Sequence, residues 1–143
     1  MKKIILIVCF SMLSGCAALT ALQEKTATSY VAAEISEVEA AAVAKDMVNF
    51  LSGQFPAAKT TISLESSKSV FHEMLSDELA ANGFGVVETK TEGAVPLRYF
   101  VTLLDGGVLV RMSYSGQVAG RYYPRSSGNL LFNTQYAVRG VVK

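Results

Sequence analysis

The chain has 143 residues, 50% of them apolar, with two cysteines, one histidine, no tryptophan and a formal net charge of +1. So few cysteines and histidines exclude a disulfide framework and a thiolate–imidazole metal site. A near-neutral balance with dispersed cations and no recognition motif argues against direct nucleic-acid binding.

The N-terminus opens Met1-Lys2-Lys3 and continues with an apolar stretch from Ile4 to Phe10. A helix of roughly ten residues rises only about 15 Å, half of a bilayer's hydrocarbon thickness, so it is too short to span. It matches the apolar core of a secretory signal, with the two lysines as its charged start. Leu13-Ser14-Gly15-Cys16 follows and resembles the lipobox of bacterial lipoproteins, in which two small residues precede the cysteine. That resemblance implies cleavage after residue 15, a diacylglyceryl group on the Cys16 sulfur, and three acyl chains on the mature N-terminus. One chain binds a membrane reversibly, and several anchor it stably. Ala17, where an aspartate tends to retain such proteins in the inner membrane, implies the outer membrane, with the domain in the periplasm. The expected organisation is a signal at 1–15, a lipidated N-terminus and tether at 16–33, and one domain at 34–143. With Cys9 removed and Cys16 acylated, that domain must stand on packing alone.

Within it, Ser36 and Glu39 have the spacing of a capping box and open a helix. Val43, Met47, Phe50 and Leu51 form its apolar face, and Gly53 closes it. Lys59 to Leu64 alternates like a half-buried strand. A second helix runs from Ser67, as N-cap, to Asn82, with Phe71, Leu75 and Leu79 on one side and Gly83 as the terminating residue. Phe84 to Val87 is a short buried strand. From Leu97 the period becomes two. Leu97, Tyr99, Val101 and Leu103 share a face, as do Val108, Val110, Met112 and Tyr114. Asp105-Gly106 makes the turn between them and Ser115-Gly116 the next. Gln117 to Tyr123 is a third meander strand, Pro124 to Gly128 breaks it, and Leu131 to Val138 is a final strand. The expected fold is α+β, with two helices packed on one face of a mostly antiparallel sheet.

Chemistry is sparse. His72 reads as a solvated residue on the second helix, and neighbouring Asp77 and Glu78 read as a solvated stripe. Gly83-Phe84-Gly85 lacks the third glycine and leading strand of a dinucleotide loop. Ser126-Ser127-Gly128 has no histidine partner. The expectation is no enzyme, no cofactor and no metal. Every acidic residue lies at or before Asp105, while Arg111, Arg121, Arg125, Arg139 and Lys143 follow it. Either this basic end docks on an acidic partner or lipid headgroup, or strands and helices divide their surface charges differently. Arg121, Tyr122, Tyr123 and Arg125 are the candidate partner-binding residues. Tyr and Arg are enriched in hot spots, and no local acid pairs these cations; sheet packing at a strand end is the competing reading.

These segments together resemble the TrbH family of lipoproteins, encoded with conjugative type IV secretion systems. The resemblance runs from the lipobox through Ala44–Leu51, the strand ending at Leu64, Phe71 to Gly85, Gly120-Arg121-Tyr122-Tyr123 and Tyr136 to Gly140. In the tail Phe132-Asn133-Thr134-Gln135 stands where the family carries a Ser-Pro-Leu-Ser-like stretch. The resemblance implies a non-enzymatic component of mating-pair formation. Such a component would be anchored through lipid on Cys16, would contact other secretion-channel or pilus-assembly proteins, and could oligomerise within an assembly. A general envelope lipoprotein serving outer-membrane assembly or cell-wall synthesis is the alternative.

Overall fold

The computed structural model describes residues 29–31 and 35–140. The expected signal, Cys16 and the tether up to residue 28 lie outside the described residues, as does the tail beyond residue 140.

Strand β1 is Tyr30–Val31, and helix α1, Glu37–Gln54, follows it. The capping box is complete. The Ser36 hydroxyl accepts from the Glu39 N–H at 3.3 Å, and Glu39 Oε2 accepts from the Ser36 N–H at 3.1 Å. Two of the helix's orphan donors are thereby satisfied. Val43, Met47 and Leu51 are fully buried as their spacing requires. Gly53 does not close the helix but sits inside it. The helix ends at Phe55, whose extended backbone turns the chain.

A 3-10 turn at Ala57–Lys59 leads into β2, Thr61–Leu64, so this strand is shorter than the sequence suggests. It is also buried on both faces. Ile62 and Leu64 point to the helices, while the Ser63 hydroxyl donates to the Thr89 carbonyl at 3.0 Å beneath the following loop. Helix α2 is Val70–Ala81, capped by Ser69 rather than Ser67. The Ser69 hydroxyl accepts from the His72 N–H at 3.2 Å. Gly83 has φ +90, the left-handed conformation that glycine adopts without strain.

The remaining strands are β3 Gly85–Val87, β4 Val95–Leu104, β5 Gly107–Tyr114, β6 Gln117–Tyr123, the pair β7 Arg125–Ser126 and β8 Asn129–Leu130, and β9 Ala137–Gly140. The main sheet runs β3-β2-β4-β5-β6-β9. From β4 onward it is an antiparallel meander. Parallel pairing joins β2 to both β3 and β4. Strand β4 is long enough to share one edge between two partners, β2 along residues 95–97 and β1 along residues 100–101. The sheet therefore already includes Tyr30 and Val31, inside the stretch assigned to the tether. Asp105 and Ser115, each before a glycine, have positive φ, as both hairpin turns require. Ser127-Gly128 has the same conformation and makes a third hairpin where the sequence shows only a break. Leu131 to Val138 is not one strand. Pairing with β6 begins only at Ala137.

One core joins the two helices to the inward side of the sheet, from Val43 and Leu75 to Val101, Val110 and Tyr123. This is the α+β arrangement of two helices on one face of a mostly antiparallel sheet. Two glycines test it in opposite directions. A Cβ on Gly107 would lie 2.5 Å from the Tyr123 carbonyl oxygen and the Tyr122 hydroxyl, whereas one on Gly53 meets nothing within 4 Å. Gly107→Ala is expected to destabilise by about 1–3 kcal/mol, the usual penalty of overpacking. Gly53→Ala is expected to stabilise by up to about 1 kcal/mol, since it removes a helical glycine. Urea unfolding of both variants measures the pair, and equal effects of one sign would contradict the register.

Candidate interaction site at the basic C-terminal strands

Two cations near the C-terminus, Arg121 and Arg125, meet acids in three dimensions. Glu39 and Asp46 are seven residues apart on α1, two helical turns, so both point toward β6 and the chain that follows it. Arg121, on the inward side of β6, reaches Asp46 with one nitrogen contacting both carboxylate oxygens at 2.9 and 2.8 Å. Its other terminal nitrogen donates to the Phe132 carbonyl at 2.9 Å. The guanidinium carbon also lies 5.0 Å from the Tyr123 ring centre, 5.8 Å from Phe132 and 5.4 Å from Tyr136. Arg121 thus fills an aromatic cage built by its own chain, held by cation–π attraction.

Tyr123 is fully buried. Its hydroxyl bonds to Asp46 at 2.6 Å and to the Tyr136 hydroxyl at 2.8 Å. Burial, with the neighbouring tyrosine and carboxylate, pushes the Tyr123 phenol far above its ordinary range, and burial likewise raises Tyr136. Both stay neutral, as a dry hydrogen-bonded network requires. Arg125 pairs with Glu39 through two nitrogens at 2.7 and 2.9 Å. That bond holds the Glu39 carboxyl below its usual range, against the opposing effect of burial. Tyr122 faces the other side of the sheet and donates to the Asp105 carbonyl at 3.3 Å.

Three of the four residues singled out in the sequence, Arg121, Tyr123 and Arg125, gather along α1 while Tyr122 lies on the opposite face, and the absence of local acids gave a misleading signal. Asp46 lies 75 residues from Arg121 and Glu39 lies 86 from Arg125 along the chain. Arg121, Tyr123 and Arg125 are spent on closing the domain. The sequence missed Glu39, Asp46, Phe132, Thr134 and Tyr136 as their partners. The recurrence of acids at positions 39 and 46 on one helical face was the available sign.

His72 also differs from expectation. It is buried at 5% exposure, and its Nδ1 lies 3.3 Å from the Tyr99 hydroxyl. Asp77 is exposed, and the Glu78 carboxylate accepts from Asn82 at 3.1 Å. Among the described residues no group of three His, Cys, Asp or Glu side chains could hold a metal ion, and no helix is long and apolar enough to cross a membrane.

Comparison with known proteins adds what this geometry does not carry. The protein family described as conjugal transfer protein TrbH matches residues 21–138. The chain belongs to the TrbH family. The match takes in β1, both helices, the meander as far as Val138 in β9, and the Arg121–Tyr136 cluster. It is thus a conjugal transfer protein by family. No curated protein and no solved structure matches the chain.

The Asp46–Arg121 pair is largely enclosed, its side chains 19% and 11% exposed. Asp46→Ala is expected to cost about 3 kcal/mol, because it strands a buried guanidinium and a buried phenol. Replacing both partners by apolar residues, Asp46→Leu with Arg121→Met, is expected to recover most of that loss. A single-variant loss below about 0.5 kcal/mol in urea unfolding would place the pair with ordinary surface salt bridges.

The pH response follows from the shifts. The Glu39 pKa is lowered in the folded state, so its contribution is present above the ordinary glutamate range and lost as pH falls below it. The Tyr123 and Tyr136 pKa values are raised, so theirs is present below the ordinary tyrosine pKa of about 10 and lost at higher pH. Tyr123→Phe is expected to flatten the alkaline side of the stability profile, and Arg125→Met the acid side. Thermal unfolding across pH reads both.

Proposed function

We propose that this TrbH-family protein is a lipid-anchored assembly component of a conjugative type IV secretion apparatus, held at the outer membrane with its domain in the periplasm. The family match over residues 21–138 is the observation that carries the reading. The charged, apolar and small-residue pattern ending at Cys16 supports the anchor. A domain with one core and no cysteine beyond Cys16 suits a part that works by contact with neighbouring proteins. Its single histidine is engaged with a tyrosine inside the core, which favours a non-enzymatic role. The partners in this reading are other components of the secretion channel or its pilus.

Cys16→Ser is the direct test. In cells carrying the transfer system, the substitution is expected to abolish incorporation of labelled palmitate and to reduce DNA transfer between mating cells severely, with the protein still exported. Undiminished transfer by a chain that takes up no label would remove the anchored-assembly reading. Normal labelling of the Cys16→Ser chain would remove the assignment of the acylated sulfur.

A further inference from the structure

The helices cover one face of the sheet, and the opposite face is open along β4, β5, β6 and β9. Register sets Tyr30, Phe100, Arg111 and Gly120 in a single row across it. Tyr30 and Phe100 stack with ring centres 5.2 Å apart, yet stay 51% and 42% exposed, and Leu104 on the same side is 45% exposed. Arg139, one row away beside Val118, is exposed like Arg111. Neither has a hydrogen-bond or ion-pair partner among the described residues, whereas Arg98 on this side has a partner of its own. Among the strand positions of β1, β4, β5, β6 and β9 that face this way, none is acidic. Glu65 and Glu88 border the face only at its Arg98 end, so the exposed aromatics beside Arg111 and Arg139 call for an anionic occupant. A second copy of the same face would bring one cationic, acid-poor surface onto another, which disfavours it.

We infer that this face docks on an anionic phospholipid surface, the Tyr30–Phe100 stack lying at headgroup depth and Arg111 and Arg139 on the phosphates. The inference rests on the lipid-anchor reading. The chain that leads from Cys16 enters the fold at Tyr30, on this same face. The thirteen residues from Ala17 to Ser29 can reach at most about 45 Å. The bilayer is therefore always within range, and docking becomes an intramolecular step with a high effective concentration. Tyr30, with an apolar ring and a polar hydroxyl, suits the membrane interface, Phe100 adds apolar area, and lipidation combined with a basic patch is an established pairing of anchoring signals.

The protein lacks tryptophan, so single tryptophans report cleanly. Full-length mature chains carrying Phe100→Trp, or Val38→Trp on the exposed side of α1 (Val38 is 81% exposed), are purified from bacterial membranes. They are then reconstituted into vesicles of phosphatidylglycerol and phosphatidylcholine with brominated acyl chains. The expected result is strong quenching at position 100, little at position 38, and loss of the difference in pure phosphatidylcholine. Arg111→Gln with Arg139→Gln is expected to lower the docked-to-free ratio about twenty-five-fold, at about fivefold, or ~1 kcal/mol, per cation. Equal quenching at both positions, or none at position 100, overturns the docking. So does a photo-crosslinker at position 100 that captures a protein in cells while lipid quenching is absent. Vesicle flotation at high salt reads the anchor separately. A chain that floats without quenching retains the anchor and loses the docking, and one that does not float loses the anchor.

Discussion

Two carboxylates on one side of α1 hold the last third of the chain against the rest. Asp46 receives Arg121 and Tyr123 together, and Glu39 receives Arg125 while also completing the cap of its own helix. Leu131 still bonds through its N–H to the Pro124 carbonyl at 2.8 Å, but residues 132–136 belong to no strand, so strand pairing does not position them. Their place comes from Arg121, which holds the Phe132 carbonyl, from the Thr134 hydroxyl bonded to the Tyr122 carbonyl, and from Tyr136 packed on Phe50 with rings 4.3 Å apart. A largely dehydrated carboxylate that lost either donor would be costly, and this makes the arrangement an all-or-none closure.

The same closure decides which charges are left for the outside. Along the sequence the acids come first and the bases last, and folding brings the two ends together so that Arg121 and Arg125 are neutralised internally. Among the described residues after Asp105, what remains is Arg111 and Arg139 on the sheet face away from the helices, near the exposed Tyr30–Phe100 pair. A sheet with helices on one side only leaves such a face as a matter of geometry. Its strand positions carry no acid, and Glu65 and Glu88 stand only at its Arg98 end.

Membership of the TrbH family and the features of the domain point the same way. A chain matched over residues 21–138 as a conjugal transfer protein is built around one core, with its histidine against Tyr99 and its most basic segment tied to its own first helix. The proposed anchor at Cys16 supplies location, and the open sheet face supplies contact. Neither demands chemistry of the side chains.

Local signals in the sequence were sufficient wherever the determining interaction is local. The capping box at Ser36 and Glu39, the left-handed Gly83, the turns at Asp105-Gly106 and Ser115-Gly116, and the alternating faces of β4 and β5 all depend on neighbours within a few residues. Each could be read from the chain, and with them the α+β class. The cap of α2 shifted from Ser67 to Ser69 because both serines offer the same chemistry and only packing chooses between them. The pairing of β1 with β4, the parallel setting of β2, the burial of His72 and the partners of Arg121 and Arg125 are contacts across tens of residues. Apart from the seven-residue spacing of Glu39 and Asp46, nothing in the local pattern points to them. An unpaired cation in a sequence is unpaired only with respect to its neighbours, and tertiary structure decided that Asp46 and Glu39 would answer it, because two turns of one helix bring both carboxylates to the same wall.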